Sequence, residues 1–325
     1  MAYNLWALCS GLIFLTWGAE WLVRGASKLA RAIGVSPLAI GLTIVAYGTS
    51  TPELVVNIGA ALTGKNDIAI GNIVGSNIFN ILFILGACAL IAPLQVSKKL
   101  VKIDVPIMIL TSGLFYILCF DYKLSRWEGG LFILGVLAYT LFCFISNKKE
   151  KLDKEDEFAK EFGGDIKELR KASAIARNMF FIFSGLGLLV IGSKFLIDSS
   201  VAIARYFGIS ELVIALTIVA AGTSLPEMAT SIVATVKGER DIAIGNVIGS
   251  NIYNILAILG VTVIIPPQGL LINPGSMVLD IPFMVFVALL CYPIFRSKFA
   301  ISRRDGLLFF GLYIMYTVYL IRSNH

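Results

Sequence analysis

Apolar residues along this chain gather into runs long enough to cross a bilayer, about 20 residues each, separated by short polar or charged connections. Such runs are predicted to be helices over 4–23, 36–62, 68–92, 103–120, 128–146, 178–203, 210–236, 242–266, 277–295 and 304–321. The pattern therefore predicts an all-α integral membrane protein with ten transmembrane helices, five in each half. The first run lacks the short apolar core and small-residue cleavage site of a signal peptide, so it reads as a permanent helix. The second run of each half is interrupted by Gly, Pro and a carboxylate, which predicts a broken helix.

One pattern occurs twice. Residues 41–86 align without a gap on residues 215–260, with 29 identities in 46 positions. A looser echo follows, Lys102-Ile103-Asp104-Val105-Pro106 against Val278-Leu279-Asp280-Ile281-Pro282. Five spans per copy is an odd number, so the second copy enters the membrane upside down relative to the first. The predicted organisation is a first five-helix repeat over 1–146, a charged linker over 147–177 and a second repeat over 178–325.

Composition agrees with a membrane protein, being 57% hydrophobic and 15% charged over 325 residues. The net charge of +6 does not point to nucleic acid, because the basic residues are spread among the connections. If the N-terminus faces outward, the connections near 24–35, 93–102, 147–177, 237–240 and 296–304 are cytoplasmic. They hold 21 of the 27 Lys and Arg, against 6 elsewhere. The positive-inside rule thus places both termini outside and the linker in the cytoplasm. The linker carries nine basic and eight acidic residues around Gly163-Gly164. Short solvated helices can flank those glycines; no calcium-loop pattern is present, and the segment reads as a plain connection. The five cysteines (Cys9, Cys88, Cys119, Cys143, Cys291) all fall within spans with no metal spacing and read as apolar filler. His325 reads as tail.

The chemistry concentrates in two elements of each copy. The first is Gly48-Thr49-Ser50-Thr51-Pro52-Glu53, repeated as Gly222-Thr223-Ser224-Leu225-Pro226-Glu227. Proline removes a backbone donor and crowds the carbonyl four residues back, that of Gly48 or Gly222. The nearby carbonyls of Ala46, Thr49, Ala220 and Thr223 are expected to lack full helical partners, which membrane depth permits only where protein or a ligand replaces them. An acid at the bilayer centre costs about 2.5–3.5 kcal/mol on insertion scales, so Glu53 and Glu227 mark a cation site. Hydroxyls, carbonyls and carboxylates form an all-oxygen set suited to Ca²⁺ or Na⁺.

The second element is Gly-Asn-x-x-Gly-Ser-Asn-Ile-x-Asn, over Gly71–Asn80 and Gly245–Asn254. Ser76 and Asn80 share a helix face, as do Ser250 and Asn254. Asn77 and Asn251 stand beside them as further candidates. Gly71/Gly75 and Gly245/Gly249 have the spacing that lets this helix approach the broken one closely. Outside these elements, Asp67 and Asp241 read as helix caps. Asp104 and Asp280 read as interfacial. Glu20 aligns with Lys194 and lies outside the repeated chemistry.

At these motifs the chain resembles the calcium/cation antiporter superfamily, specifically the prokaryotic sodium/calcium exchanger type. The resemblance is most specific over 41–86 and 215–260 and collinear across the other helices. It implies ten helices in two inverted halves with four central ion sites. It also implies Glu53 and Glu227 as shared carboxylate ligands, with Thr49, Ser50, Ser76, Thr223, Ser224, Ser250 and the main-chain oxygens of Ala46 and Ala220. Asn80 is implied as the central polar partner, and the first and sixth helices as a pair that slides across the other eight. Exchangers of this type can carry Asp where this chain has Asn254, so two carboxylates remain instead of three.

The function expected is a secondary antiporter exchanging Ca²⁺ for Na⁺, with no cofactor, in a prokaryotic plasma membrane, where a monomer suffices. Ca²⁺/H⁺ antiport is the rival, since buried acids take up protons; that branch usually shows Gly-Asn-Ala-x-Glu, which this chain lacks. A cation channel needs a ring of subunits or a continuous polar path. No nucleophile–base constellation or phosphate loop suggests an enzyme.

Overall fold

A computed structural model describes residues 2–161, 172–207 and 220–323 of the chain. The described residues are mostly helical. Seven helices are long and apolar enough to cross a membrane, and a bent pair makes an eighth.

In the first half α1 covers Ala2–Ile33. The bent pair follows as α2 (Pro37–Thr49) and α3 (Thr51–Leu62). Next come α4 (Asn66–Ile91) and α5 (Leu100–Leu118), then α6 (Arg126–Glu161). The second half holds α7 (Ala172–Tyr206), a short α8 (Ala220–Gly222) and α9 (Leu225–Val236). It closes with α10 (Arg240–Ile264), α11 (Ser276–Lys298) and α12 (Arg303–Ser323). Part of the span expected over 210–236 lies outside the described residues, as do Gly163, Gly164 and His325.

Helices α4 and α10 are the most enclosed of the long helices. Their apolar side chains, from Ile70 to Leu85 and from Ile244 to Leu259, form the centre of one large core. The outer helices bury less and expose large apolar side chains such as Trp6, Trp17, Leu134, Leu137, Phe180 and Phe183. That arrangement suits hydrocarbon and not water. Two short antiparallel pairings tie connections of one half to those of the other. They are β1 (Leu94–Gln95) with β4 (Ala300–Ile301) and β2 (Lys123–Leu124) with β3 (Leu270–Leu271).

Helices α1 and α7 form an antiparallel pair whose backbones nearly touch. A Cβ placed on Gly18 would sit 2.8 Å from the Gly185 carbonyl oxygen, and one on Gly185 would sit 2.7 Å from that of Gly18. Gly11 and Gly192 repeat the contact two turns away, so small residues at seven-residue spacing form the seam. This pair packs with residues of α2, α9 and α10 in a second, smaller core.

Several local expectations are corrected. The connection expected over 24–35 is helical through Ile33 and ends at Gly34, whose φ of +70° stops the helix. Its charged face is held by the α9–α10 turn: Arg31 pairs with Glu239 at 3.1 Å and Ser27 donates to the same carboxylate at 2.6 Å. Glu20, two turns before Ser27, pairs with Lys237 at 2.6 Å. Beyond 147 the chain likewise remains helical, to Glu161. Asp67 and Asp241 are first-turn residues with favourable dipole placement, not side-chain caps. Asp104 is buried inside the protein and accepts a hydrogen bond from the Tyr139 hydroxyl, as Asp280 does from Tyr316. Four of the five cysteines are buried, Cys9 is exposed, and all are free thiols.

Candidate functional site: a buried set of oxygens between the halves

The break expected at Gly-Thr-Ser-x-Pro-Glu is present. Helices α2 and α3 meet at an angle of 43°. Ser50 and Ser224 leave the helical region at the hinge, with ψ of 9° and 10°. Pro52 and Pro226 then open α3 and α9 in the first turn, where a missing N–H costs nothing. Each proline thus restarts a helix and places the following glutamate in the first turn, near its positive end.

The freed carbonyls are treated less simply than expected. The Gly222 carbonyl accepts a hydrogen bond from the Ser193 hydroxyl of α7 at 2.9 Å. The Ala46 carbonyl is not stripped of its helical partner: it accepts from the Ser50 amide at 3.1 Å, with the Thr49 oxygen 3.3 Å away. With the Thr49 proton given to Asn246, one lone pair of this carbonyl stays available. Ala220 lies at the edge of the described residues.

Glu53 and Glu227 are each 1% exposed. Each is bonded by the serine of the other copy: Ser224 donates to Glu53 at 2.9 Å and Ser50 donates to Glu227 at 2.8 Å. Ser224 also contacts the Ser76 hydroxyl at 3.1 Å. The second oxygen of each glutamate is buried without a hydrogen-bond partner, as are the Ser250 hydroxyl and the side-chain oxygens of Asn80 and Asn254. No Lys or Arg is paired with either acid among the described ion pairs. Two carboxylates enclosed with neutral oxygens present, when ionised, a set of one sign that a desolvated cation satisfies and a second anion does not.

Hydrogen bonds join five of the expected residues, Ser50 with Glu227 and Ser224 with Glu53 and Ser76, while Ser250, Asn80 and Asn254 are buried without a described bond to either acid. Thr49 and Thr223 are near but turned to a partner that was missed. Thr49 donates to the Asn246 side-chain oxygen and Thr223 to that of Asn72, both at 3.1 Å. Asn246 in turn donates to the Glu227 carbonyl at 3.3 Å and to the Ser231 hydroxyl at 3.0 Å. Asn72 donates to Asn57 at 2.7 Å. The signal was present: Asn72 and Asn246 are identical in the two copies and sit one turn before Ser76 and Ser250 on the same face. Asn77 and Asn251 spend their carboxamides on neighbouring amides. Gly245 and Gly249 do serve close packing, against the Leu38 and Leu42 carbonyls of α2.

Among the described residues no three or more His, Cys, Asp or Glu side chains are grouped to hold a metal. The donors are two acids and many neutral oxygens, which suits a hard cation held reversibly more than a resident transition metal.

The chain matches relatives over nearly its whole length. The inner membrane protein YrbG of Escherichia coli is 36% identical over 319 residues, covering 96% of this chain and 95% of that one. The sodium/calcium exchanger MaX1 of Methanosarcina acetivorans is 34% identical over 345 residues, with 98% of each covered. A solved structure of the sodium-calcium exchanger NCX_Mj superposes with a TM-score of 0.82 at 30% identity, covering 98% of both chains. The family model described as sodium/calcium exchanger protein matches residues 3–145 and 177–322, which leaves out only the charged centre and the extreme ends. By this match, and with the two acids and their serines set as described, the chain belongs to the sodium/calcium exchanger protein family.

Proposed function

We propose that this protein is a secondary antiporter that exchanges Ca²⁺ for Na⁺ through one central site reached alternately from the two sides of the membrane. The observation that carries the reading is the pair of buried glutamates, each with one oxygen held by a serine of the opposite copy and the other unpartnered. Together they supply charge −2, which one Ca²⁺ or two Na⁺ neutralise. A third Na⁺ on the neutral oxygens leaves +1 and makes exchange electrogenic. Because both ions need the same acids they compete, and an empty, charged site resists crossing the bilayer. That requirement couples the two fluxes.

In this reading the ligands are Glu53 and Glu227, the hydroxyls of Thr49, Ser50, Ser76, Thr223, Ser224 and Ser250, the side-chain oxygens of Asn80 and Asn254, and the main-chain oxygens of Ala46 and Ala220. The serines hold each carboxylate in register, and the free carboxylate oxygens meet the ion. The likeness to exchangers by name and fold, MaX1 and NCX_Mj, supports the choice of ions.

The proposed architecture is ten membrane-crossing helices in two inverted halves. Reciprocal contacts support it: Ser50–Glu227 with Ser224–Glu53, Thr49–Asn246 with Thr223–Asn72, and Asp104–Tyr139 with Asp280–Tyr316. The charge distribution supports ends outside and the 147–177 segment in the cytoplasm. A single chain contains both halves of the site, so a monomer suffices.

The test is uptake of radiolabelled Ca²⁺ into proteoliposomes loaded with Na⁺ and diluted into Na⁺-free buffer, beside a set carrying only a pH gradient. Uptake driven by Na⁺ alone is expected. Uptake driven only by the pH gradient would replace Na⁺ with protons in this account.

A further inference from the structure

The central carboxamides have a direction, and the side chains that set it lie outside the proposed ligands. Asn80 donates through Nδ2 to the Asn251 side-chain oxygen at 3.0 Å, and Asn254 donates through Nδ2 to that of Asn77 at 3.1 Å. These bonds occupy the nitrogen ends and leave Oδ1 of Asn80 and of Asn254 buried without a partner. An amide presents an acceptor oxygen and a donor nitrogen of nearly equal size, so shape alone does not decide which end faces an ion.

What decides it lies one step further out. Asn77 donates its own Nδ2 to the Met284 sulfur of α11 at 3.5 Å. Asn251 donates its Nδ2 to the Met108 sulfur of α5 at 3.8 Å and to the Asn77 carbonyl at 3.2 Å. A thioether accepts a hydrogen bond and never gives one. Each methionine therefore draws the nitrogen end of its asparagine, which turns that asparagine's oxygen towards the next amide. The next amide must answer with nitrogen and is left with its oxygen for the site. All three side chains of each series, Met284–Asn77–Asn254 and Met108–Asn251–Asn80, are buried, so water does not reach them to reverse the order.

We propose that Asn77 and Asn251 are positioning residues, anchored by Met284 and Met108, that hold the side chains of Asn254 and Asn80 oxygen-first towards the transported cation. This rests on the reading of Glu53 and Glu227 as the ion site. With the order reversed, an NH₂ group would face the cation and oppose binding. The need is specific to this chain's two asparagines. An aspartate has two equivalent oxygens and requires no such orientation.

That contrast supplies the test. In Na⁺-driven uptake, Asn77→Ala is expected to raise the Ca²⁺ concentration for half-maximal uptake about 10–100-fold, as loss of an outer-shell partner typically does. In an Asn254→Asp background the same Asn77→Ala change is expected to shift it by no more than about 2-fold, because the two sites no longer couple through orientation. An equal loss in both backgrounds, or no loss in either, would overturn the proposal. If Asn77→Ala does not fold, Asn251→Ala measured with and without Asn80→Asp carries the same test. A parallel Glu227→Gln protein separates the failures: retained exchange there sinks the site itself, whereas uncoupled asparagines with a dead Glu227→Gln sink only the orienting role.

Discussion

At the scale of single residues, the account rests on acids that are paired with no cationic side chain among the described residues. Glu53→Gln and Glu227→Gln each remove one of the two charges, so each is expected to abolish Na⁺-driven Ca²⁺ uptake while the protein still folds. Uptake assay and size-exclusion profile check the two halves of that statement. Ser50→Ala and Ser224→Ala leave the charges but free one carboxylate oxygen. The expected cost is about 10–100-fold in Ca²⁺ affinity, read by equilibrium binding. The acids were legible in the sequence because an intramembrane glutamate is too costly to be incidental. Their bonding was not legible. Ser50 serves Glu227, 177 positions away, and no spacing within one copy can reveal a partner in the other. Asn72 and Asn246 were legible as positions identical in the two copies but not in their role, since Thr223 and Thr49, which bond to them, lie across the interface.

At the scale of elements, apolar run length located the helices but not where they stop. Helix α1 outruns its apolar segment by a charged stretch because Arg31 and Ser27 find Glu239 on the α9–α10 turn. Hydropathy sees the charges and reads a connection, whereas tertiary ion pairs keep the helix. The breaks at Pro52 and Pro226 were legible from proline chemistry. The rescue of the Gly222 carbonyl by Ser193 of another helix was not. Ser193→Ala is expected to destabilise the protein by about 1–3 kcal/mol by leaving that carbonyl unsatisfied, seen as a lower unfolding temperature in detergent. The α1–α7 seam makes a sharper prediction. Gly18→Leu places a side chain where a Cβ alone is 2.8 Å from the Gly185 oxygen. Overpacking of about 1–3 kcal/mol or more should follow, and a lower unfolding temperature would record the separation of the pair.

At the scale of the whole molecule, the duplication matters because neither copy holds a finished site. Each glutamate is fixed by the opposite half, and each central asparagine is turned by one in the opposite half. A site assembled across the halves is sensitive to their relative placement, which is what alternating access requires. The duplication of residues 41–86 as 215–260 made this assembly legible in outline. The cross-half partners appear only when the two copies are folded together. The most direct test of the central claim is Ca²⁺ binding to the purified full-length protein, titrated at increasing Na⁺, for the unaltered chain and for Glu53→Gln and Glu227→Gln. The account predicts Ca²⁺ binding that Na⁺ displaces competitively and that both substitutions eliminate. Ca²⁺ binding indifferent to Na⁺, or retained in both variants, would contradict it.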